Sequence, residues 1–146
     1  MKEKLIHSNK IQIQKSPLHG YGVFATSNIK SGTTLEEVPF LEINKKSSTT
    51  SNYTFKAKEY PYGVLPGGFS WLYNSSRSRE EANATYRHDT ENNIFIFESI
   101  KEIPKGKELL VFYGEAWWTK SRIKAMQSTV TIDIENRLAR IHKLNY

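Results

Sequence analysis

Apolar and polar residues alternate with a period of two over several short stretches of this chain, which predicts strands rather than helices. Ile11 and Ile13 alternate with glutamines over residues 10–15, the pattern of a half-buried strand, and Ser16-Pro17 ends it. Residues 18–25 read LHGYGVFA, and Val23 and Phe24 predict a short strand behind a glycine turn. Residues 28–32 are a turn, and residues 34–43 (TLEEVPFLEI) read as a strand with a bulge or edge position at Pro39. Residues 45–52 read as a polar loop, and residues 53–55 as a scrap of strand. Residues 61–68 (PYGVLPGG) are too rich in proline and glycine for a long helix or a central strand. Residues 69–73 (FSWLY) are expected to be buried, residues 74–81 to be polar loop, and residues 83–87 to be a short strand. IFIFESI, residues 94–100, is the clearest strand; after a turn at 103–106, ELLVFY at 108–113 is another, closed by Gly114.

Beyond Thr119 the pattern changes. Ile123, Met126, Val130, Ile134, Leu138 and Ile141 step by three and four, which is a helical stripe. Residues 129–134 (TVTIDI) alternate and are β-branched, like a strand. Helix is expected at the two ends of this tail, and its middle is open. The 146 residues suit one ordinary domain with a core of its own. Many short strands and Gly/Pro turns make it mainly β, with little helix before Gly114.

Composition narrows the chemistry. No cysteine is present, which removes disulfides, thiolate metal sites and cysteine nucleophiles together. No metal site is expected, since the four histidines lack ligand spacing; His7, His88 and His142 read as surface residues. No apolar run is long enough to cross a bilayer, and the first residues contain no signal-like apolar core. An intracellular protein without a membrane partner is the expectation, its compartment open. The net charge of +6 and pI near 9.4 allow a nucleic-acid partner, but the basic residues form no dense block, so that partner stays uncertain. The acidic pairs Glu36-Glu37 and Glu80-Glu81 read as solvated faces.

Four segments, in order, carry a more specific signal. The first is Gly20-Tyr21-Gly22 within LHGYGVFA, followed by Ala25, Ile29 and Gly32. The second is NYTF at 52–55, and the third runs from Gly67-Gly68-Phe69 through Asn74-Ser75-Ser76 to Asn83-Ala84. The fourth holds Gly106, Glu108, Leu109, Tyr113 and Gly114, followed by Trp117-Trp118. Together they resemble the SET domain of protein-lysine methyltransferases, especially the short viral form without zinc modules. The resemblance spans roughly residues 11–118, leaving 119–146 as an extension that packs on the domain or forms a dimer interface.

This resemblance implies a β-clip-type fold of several small sheets with a knot-like C-terminal segment and a short, partly helical tail. It also implies S-adenosylmethionine as cofactor and a protein substrate bearing a target lysine, with a basic tail such as a histone's, and a nuclear or cytoplasmic setting according to host. Tyr113 would be the catalytic tyrosine, with Tyr53 beside it. His19, Gly20, Tyr21, Gly22, Asn74, Ser75 and Trp117 would meet the cofactor, and Val111, Phe69 and Trp118 would line the lysine channel. Ser75 stands where the family has histidine, so the imidazole's packing and hydrogen bonds are lost there. Val111 takes a position that often carries phenylalanine or tyrosine, which implies room for di- or trimethylation. A catalytically inactive binding module of the same fold is the alternative, and a nucleic-acid-binding β-domain a weaker one.

Overall fold

The computed structural model of the protein describes residues 1–46 and 53–118. Their strands are β1 (Ile11–Lys15), β2 (Tyr21–Ala25), β3 (Thr34–Val38), β4 (Phe40–Glu42), β5 (Phe55–Ala57), β6 (Tyr60–Pro66), β7 (Asn74–Ser75), β8 (Ala84–Asp89), β9 (Ile94–Ser99) and β10 (Glu108–Val111). A single 3-10 turn, Ser70–Leu72, precedes β7, and one helical turn occupies residues 115–118. Three small sheets result, ordered β1-β2-β10-β7, β3-β9-β8 and β4-β6-β5. The mainly β architecture expected from the alternating pattern is borne out. The helical stripe of the tail lies outside the described residues.

Pro39 does more than bulge a strand. It has no N–H to give to a ladder, so the segment 34–43 splits there into two strands of different sheets. β3 pairs with β9, while β4 pairs with β6.

The expectation for residues 61–68 is corrected. β6 is the central strand of its sheet, flanked by β4 and β5. Ala57 faces Tyr60 and Phe55 faces Val64, so β6 carries two more residues than β5 between the same partners. Pro61 and Gly63 fall in that bulge, where a missing donor and a φ of +82° are accommodated.

Both faces of β9 are buried, with Phe95 and Phe97 fully enclosed. Leu35, Val23, Leu109, Tyr73, Ile29 and Ile103 complete the centre of the core. Each large side chain buried here contributes roughly 1.5–3 kcal/mol relative to exposure. The N-terminal segment covers the free edge of β3. Ser8 N donates to Leu35 O at 2.8 Å, and Glu37 N donates to Ile6 O at 2.7 Å. These bonds cover part of the edge that β3 would otherwise offer for pairing with another chain.

Candidate active site

The turn between β1 and β2 is closed by Ser16 N donating to Gly20 O at 2.8 Å. Gly20 has φ +51°, which favours glycine. Gly22 is glycine for a different reason. A Cβ there would lie 2.3 Å from Glu108 Oε1 and 3.0 Å from Asn74 Nδ2. The backbone of β2 therefore presses directly on two polar side chains of β7 and β10.

Asn74 is fully buried on β7, which pairs in parallel with β10 through Leu110 opposite Asn74 and Val111 opposite Ser75. The residues 74–81, read from the sequence as polar loop, thus begin as a buried strand. Polarity misled because the Asn74 amide N–H and the Ser75 and Ser76 hydroxyls bond within the protein rather than to water. Asn74 Nδ2 donates to Glu108 Oε1 (3.2 Å), Tyr21 O (3.3 Å) and His19 O (3.4 Å). Three acceptors around one nitrogen fix the amide's orientation. Its Oδ1 is buried and has no hydrogen-bond partner. Glu108 also accepts from Ser16 Oγ at 3.1 Å. Burial pushes its carboxyl above the usual range, with the Ser16 and Asn74 hydrogen bonds acting against that rise.

Tyr113 follows β10. Its N–H donates to Ser75 Oγ at 3.1 Å, and its hydroxyl donates to the carbonyl of Tyr73. Its ring meets Trp117 edge-on, with centroids 5.0 Å apart. Ser75 Oγ in turn donates to Ser76 O at 2.8 Å and accepts from the indole N–H of Trp118 at 3.2 Å. The same indole N–H reaches Ser76 O at 3.0 Å. A hydroxyl at position 75 therefore ties the end of β10 to the helical turn 115–118.

These bonds bring together His19 and Tyr21 through their carbonyls, Gly20, Gly22, Asn74, Ser75, Tyr113, Trp117 and Trp118. Val111 is fully buried at the end of β10, its carbonyl accepting from Ser76 N. Tyr53 and Phe69 are placed by other contacts. Tyr53 lines an apolar cleft of about 430 Å³ with Phe40, Leu41, Leu65 and Trp71, and burial raises its pKa. Phe69 N donates to Glu36 Oε1 at 2.9 Å, and its ring meets His7 edge-on at 4.8 Å.

The acidic pair at 36–37 is a correction: both side chains are buried. Glu37 is held by Lys2 Nζ at 2.7 Å and by Ile6 N at 3.0 Å. Glu36 faces His7 Nδ1 at 3.2 Å, and burial raises its pKa to about 7 against the pull of Phe69 N–H. The Tyr73 hydroxyl is buried beside Glu36 and acts with the Phe69 N–H against that rise. Gly68 makes room for this carboxyl, since a Cβ there would lie 2.9 Å from Glu36 Oε2 and 2.6 Å from Val38 Cγ1. His88, expected at the surface, is stacked on Phe95 and flanked by Phe40. Glu108, a member of the fourth motif, takes its role from the fold, where it accepts from Ser16 and Asn74. The available signal was a carboxylate opening an apolar strand.

Residues 20–114, well over half of the chain, match the family model of the SET domain. The chain belongs to the SET-domain family. A Schizosaccharomyces pombe histone-lysine N-methyltransferase, specific for H3 lysine-37, is 25% identical over 138 residues, covering 86% of this SET chain and 92% of the yeast protein. A Plasmodium falciparum crystal structure, of a protein named a candidate histone methyltransferase, superimposes with a TM-score of 0.62 at 32% identity. That match covers 76% of this chain and 98% of the other. The methyltransferase domain of human PR domain-containing protein 2 shares the fold, with a TM-score of 0.54 at 24% identity over 74% of this chain and 80% of that one. The yeast histone-lysine methyltransferase and the Plasmodium structure thus each align with more than three quarters of this chain.

Proposed function

We propose that this SET domain transfers methyl groups from S-adenosylmethionine to lysine side chains of a protein, with histones the first substrates to test. The observation that carries the reading is the buried, partnerless Oδ1 of Asn74 beside the Gly20–Gly22 backbone. An unpaired buried acceptor costs about 1–3 kcal/mol. A cationic amine donor removes that cost, and the α-ammonium of S-adenosylmethionine is such a donor. The residues therefore fit the cofactor: Asn74 would hold its amine, the glycine turn would admit its chain closely, and Trp117 and Ser75 would border it. When bound, it supplies an electrophilic methyl group on a sulfonium.

The acceptor amine must arrive neutral, and a free lysine titrates near about 10.4. Desolvation in an apolar channel lowers that value. Tyr113 would orient the amine. Its hydroxyl proton goes to Tyr73 O, and a phenol oxygen can accept weak C–H or N–H contacts from the reacting groups. Water, rather than a phenolate, would carry the displaced proton. Val111 is small and cannot hold a water by a hydroxyl, so di- and trimethyl products are expected. Mass spectra of methylated histone H3 containing only monomethyl-lysine would contradict that.

Calorimetry with S-adenosylmethionine tests the reading before the substrate is known. Binding that Asn74→Ala weakens at least tenfold supports it. Absence of binding at millimolar cofactor overturns it and favours a non-catalytic binding module.

A further inference from the structure

A second concavity lies on the β4-β6-β5 sheet, with a volume of about 540 Å³. Lys45, Lys46, Lys56, Lys58, Tyr60 and Tyr62 are among the residues lining it, and no acidic side chain is. The ladders explain the gathering. Ala57 opposite Tyr60 places Lys56 and Lys58 on either side of a pairing position at the start of β6. Ile43 N donates to Gly63 O at 3.2 Å, which leads Lys45 and Lys46 off β4 beside the β6 bulge.

All four lysines are exposed. The ion pairs found among the described residues join Lys2 to Glu37, His7 to Glu36 and Arg87 to Glu98, so none uses these lysines. Glu42 and Glu59 are neighbours in sequence and do not line the cleft. Four like charges sharing one concavity repel one another and attract anions. A lysine-rich substrate tail would be repelled here. Tyr60 is engaged by edge-on packing on Phe40, whereas Tyr62 stands 45% exposed. An exposed ring among unpaired lysines offers both features that a nucleic-acid strand uses, charge for its phosphates and a flat face for a base. An acidic polypeptide would use only the first.

We propose that this cleft binds nucleic acid, through phosphate contacts to Lys45, Lys46, Lys56 and Lys58 and base stacking on Tyr62. The test is fluorescence anisotropy of the full chain with a labelled single-stranded oligonucleotide of about 20 nucleotides, from about 50 to about 200 mM salt. Four phosphate contacts on a single strand predict a slope of log K against log salt near about −3, or a roughly fifty-fold loss of affinity across that range. Replacing the four lysines together by alanine should flatten the slope and weaken low-salt binding at least tenfold. Tyr62→Ala should weaken binding while leaving the slope unchanged. Calorimetry with S-adenosylmethionine in the same preparations reports folding and the other site independently, and should not change in either variant. Absent binding at low salt overturns the proposal, as does a four-lysine variant that binds like the wild type. Stronger, equally lysine-dependent binding of polyglutamate would also overturn it and assign the cleft to an acidic protein.

Discussion

Ser75 Oγ accepts the backbone N–H of Tyr113 at 3.1 Å, so the residue replacing the family's histidine holds the candidate catalytic tyrosine by its main chain. The same oxygen accepts the indole N–H of Trp118. Ser75→Ala leaves the Tyr113 N–H without this acceptor, at a cost of about 1 kcal/mol or somewhat more, while the Trp118 indole keeps Ser76 O. Ser75→Thr keeps the hydroxyl. The alanine variant should lose about 1–2 kcal/mol in urea unfolding, change its tryptophan emission, and lose turnover more than cofactor affinity. Threonine should restore most of each. An alanine variant with unchanged emission and unchanged turnover would show that the hydroxyl positions nothing.

Glu36 gives the fold a pH dependence whose sign is fixed by burial. Its folded pKa of about 7 lies above the ordinary 4.5. Its contribution to stability is therefore fully present below about pH 4.5 and is lost as pH rises through 7, where a charge must be held in the interior. That span corresponds to roughly 3 kcal/mol. His7 Nδ1, Phe69 N–H and the Tyr73 hydroxyl are the groups that face it. Glu36→Gln keeps an acceptor for Phe69 N–H and removes the charge. The variant should match the wild type in denaturation midpoint near pH 4.5 and exceed it at pH 8. A variant less stable than the wild type at pH 8 would mean that the carboxylate is stabilised by His7 more than burial penalises it.

The strands were legible because their side chains alternate, and the order of the motifs was legible because glycine and tyrosine are hard to substitute at their positions. Gly22 illustrates the second point, since two polar side chains occupy the space of its missing Cβ. The interior carboxylates were not legible. Glu36 and Glu37 look like any solvated pair until residues 2–8 fold over them, a contact between segments some thirty residues apart. β6 escaped for a similar reason, because proline and glycine argue against a central strand only when no bulge absorbs them. The site residues separate along the same line. Asn74, Tyr113 and the glycine turn are drawn together by ladders between β2, β7 and β10. Tyr53 and Phe69 sit where side-chain packing, not strand register, decides the neighbour.

Gly22→Ala isolates the close approach at the glycine turn. Its Cβ would overlap Glu108 Oε1 and crowd Asn74 Nδ2, so the carboxylate and amide must both move. Moving Glu108 also disturbs its bond from Ser16 Oγ, which braces the turn through Leu18 N. Affinity for S-adenosylmethionine should fall about tenfold or more, equivalent to about 1.4 kcal/mol. Gly32→Ala is the control, because nothing lies within 4 Å of a Cβ there and only its φ of +82° is strained. It should lose stability and keep cofactor affinity. Equal cofactor affinity in both variants and the wild type would separate the glycine turn from the cofactor.

Tyr113→Phe removes one oxygen and leaves the ring against Trp117 and the main chain on Ser75. The lost group is the hydroxyl that donates to Tyr73 O. In the proposed reading cofactor binding rests on Asn74 and the glycine turn, on other strands, so it should stay within about twofold, a change of roughly 0.4 kcal/mol. Turnover depends on the oriented amine and should fall about a hundredfold, or about 2.7 kcal/mol of transition-state stabilisation. The two readouts are calorimetry with S-adenosylmethionine and mass spectrometry of histone H3 incubated with the enzyme. A hundredfold loss in turnover with matching loss of cofactor binding would make the hydroxyl a structural pin on Tyr73. Loss of turnover alone places it at the reacting groups, and turnover within threefold of the wild type removes Tyr113 from the chemistry.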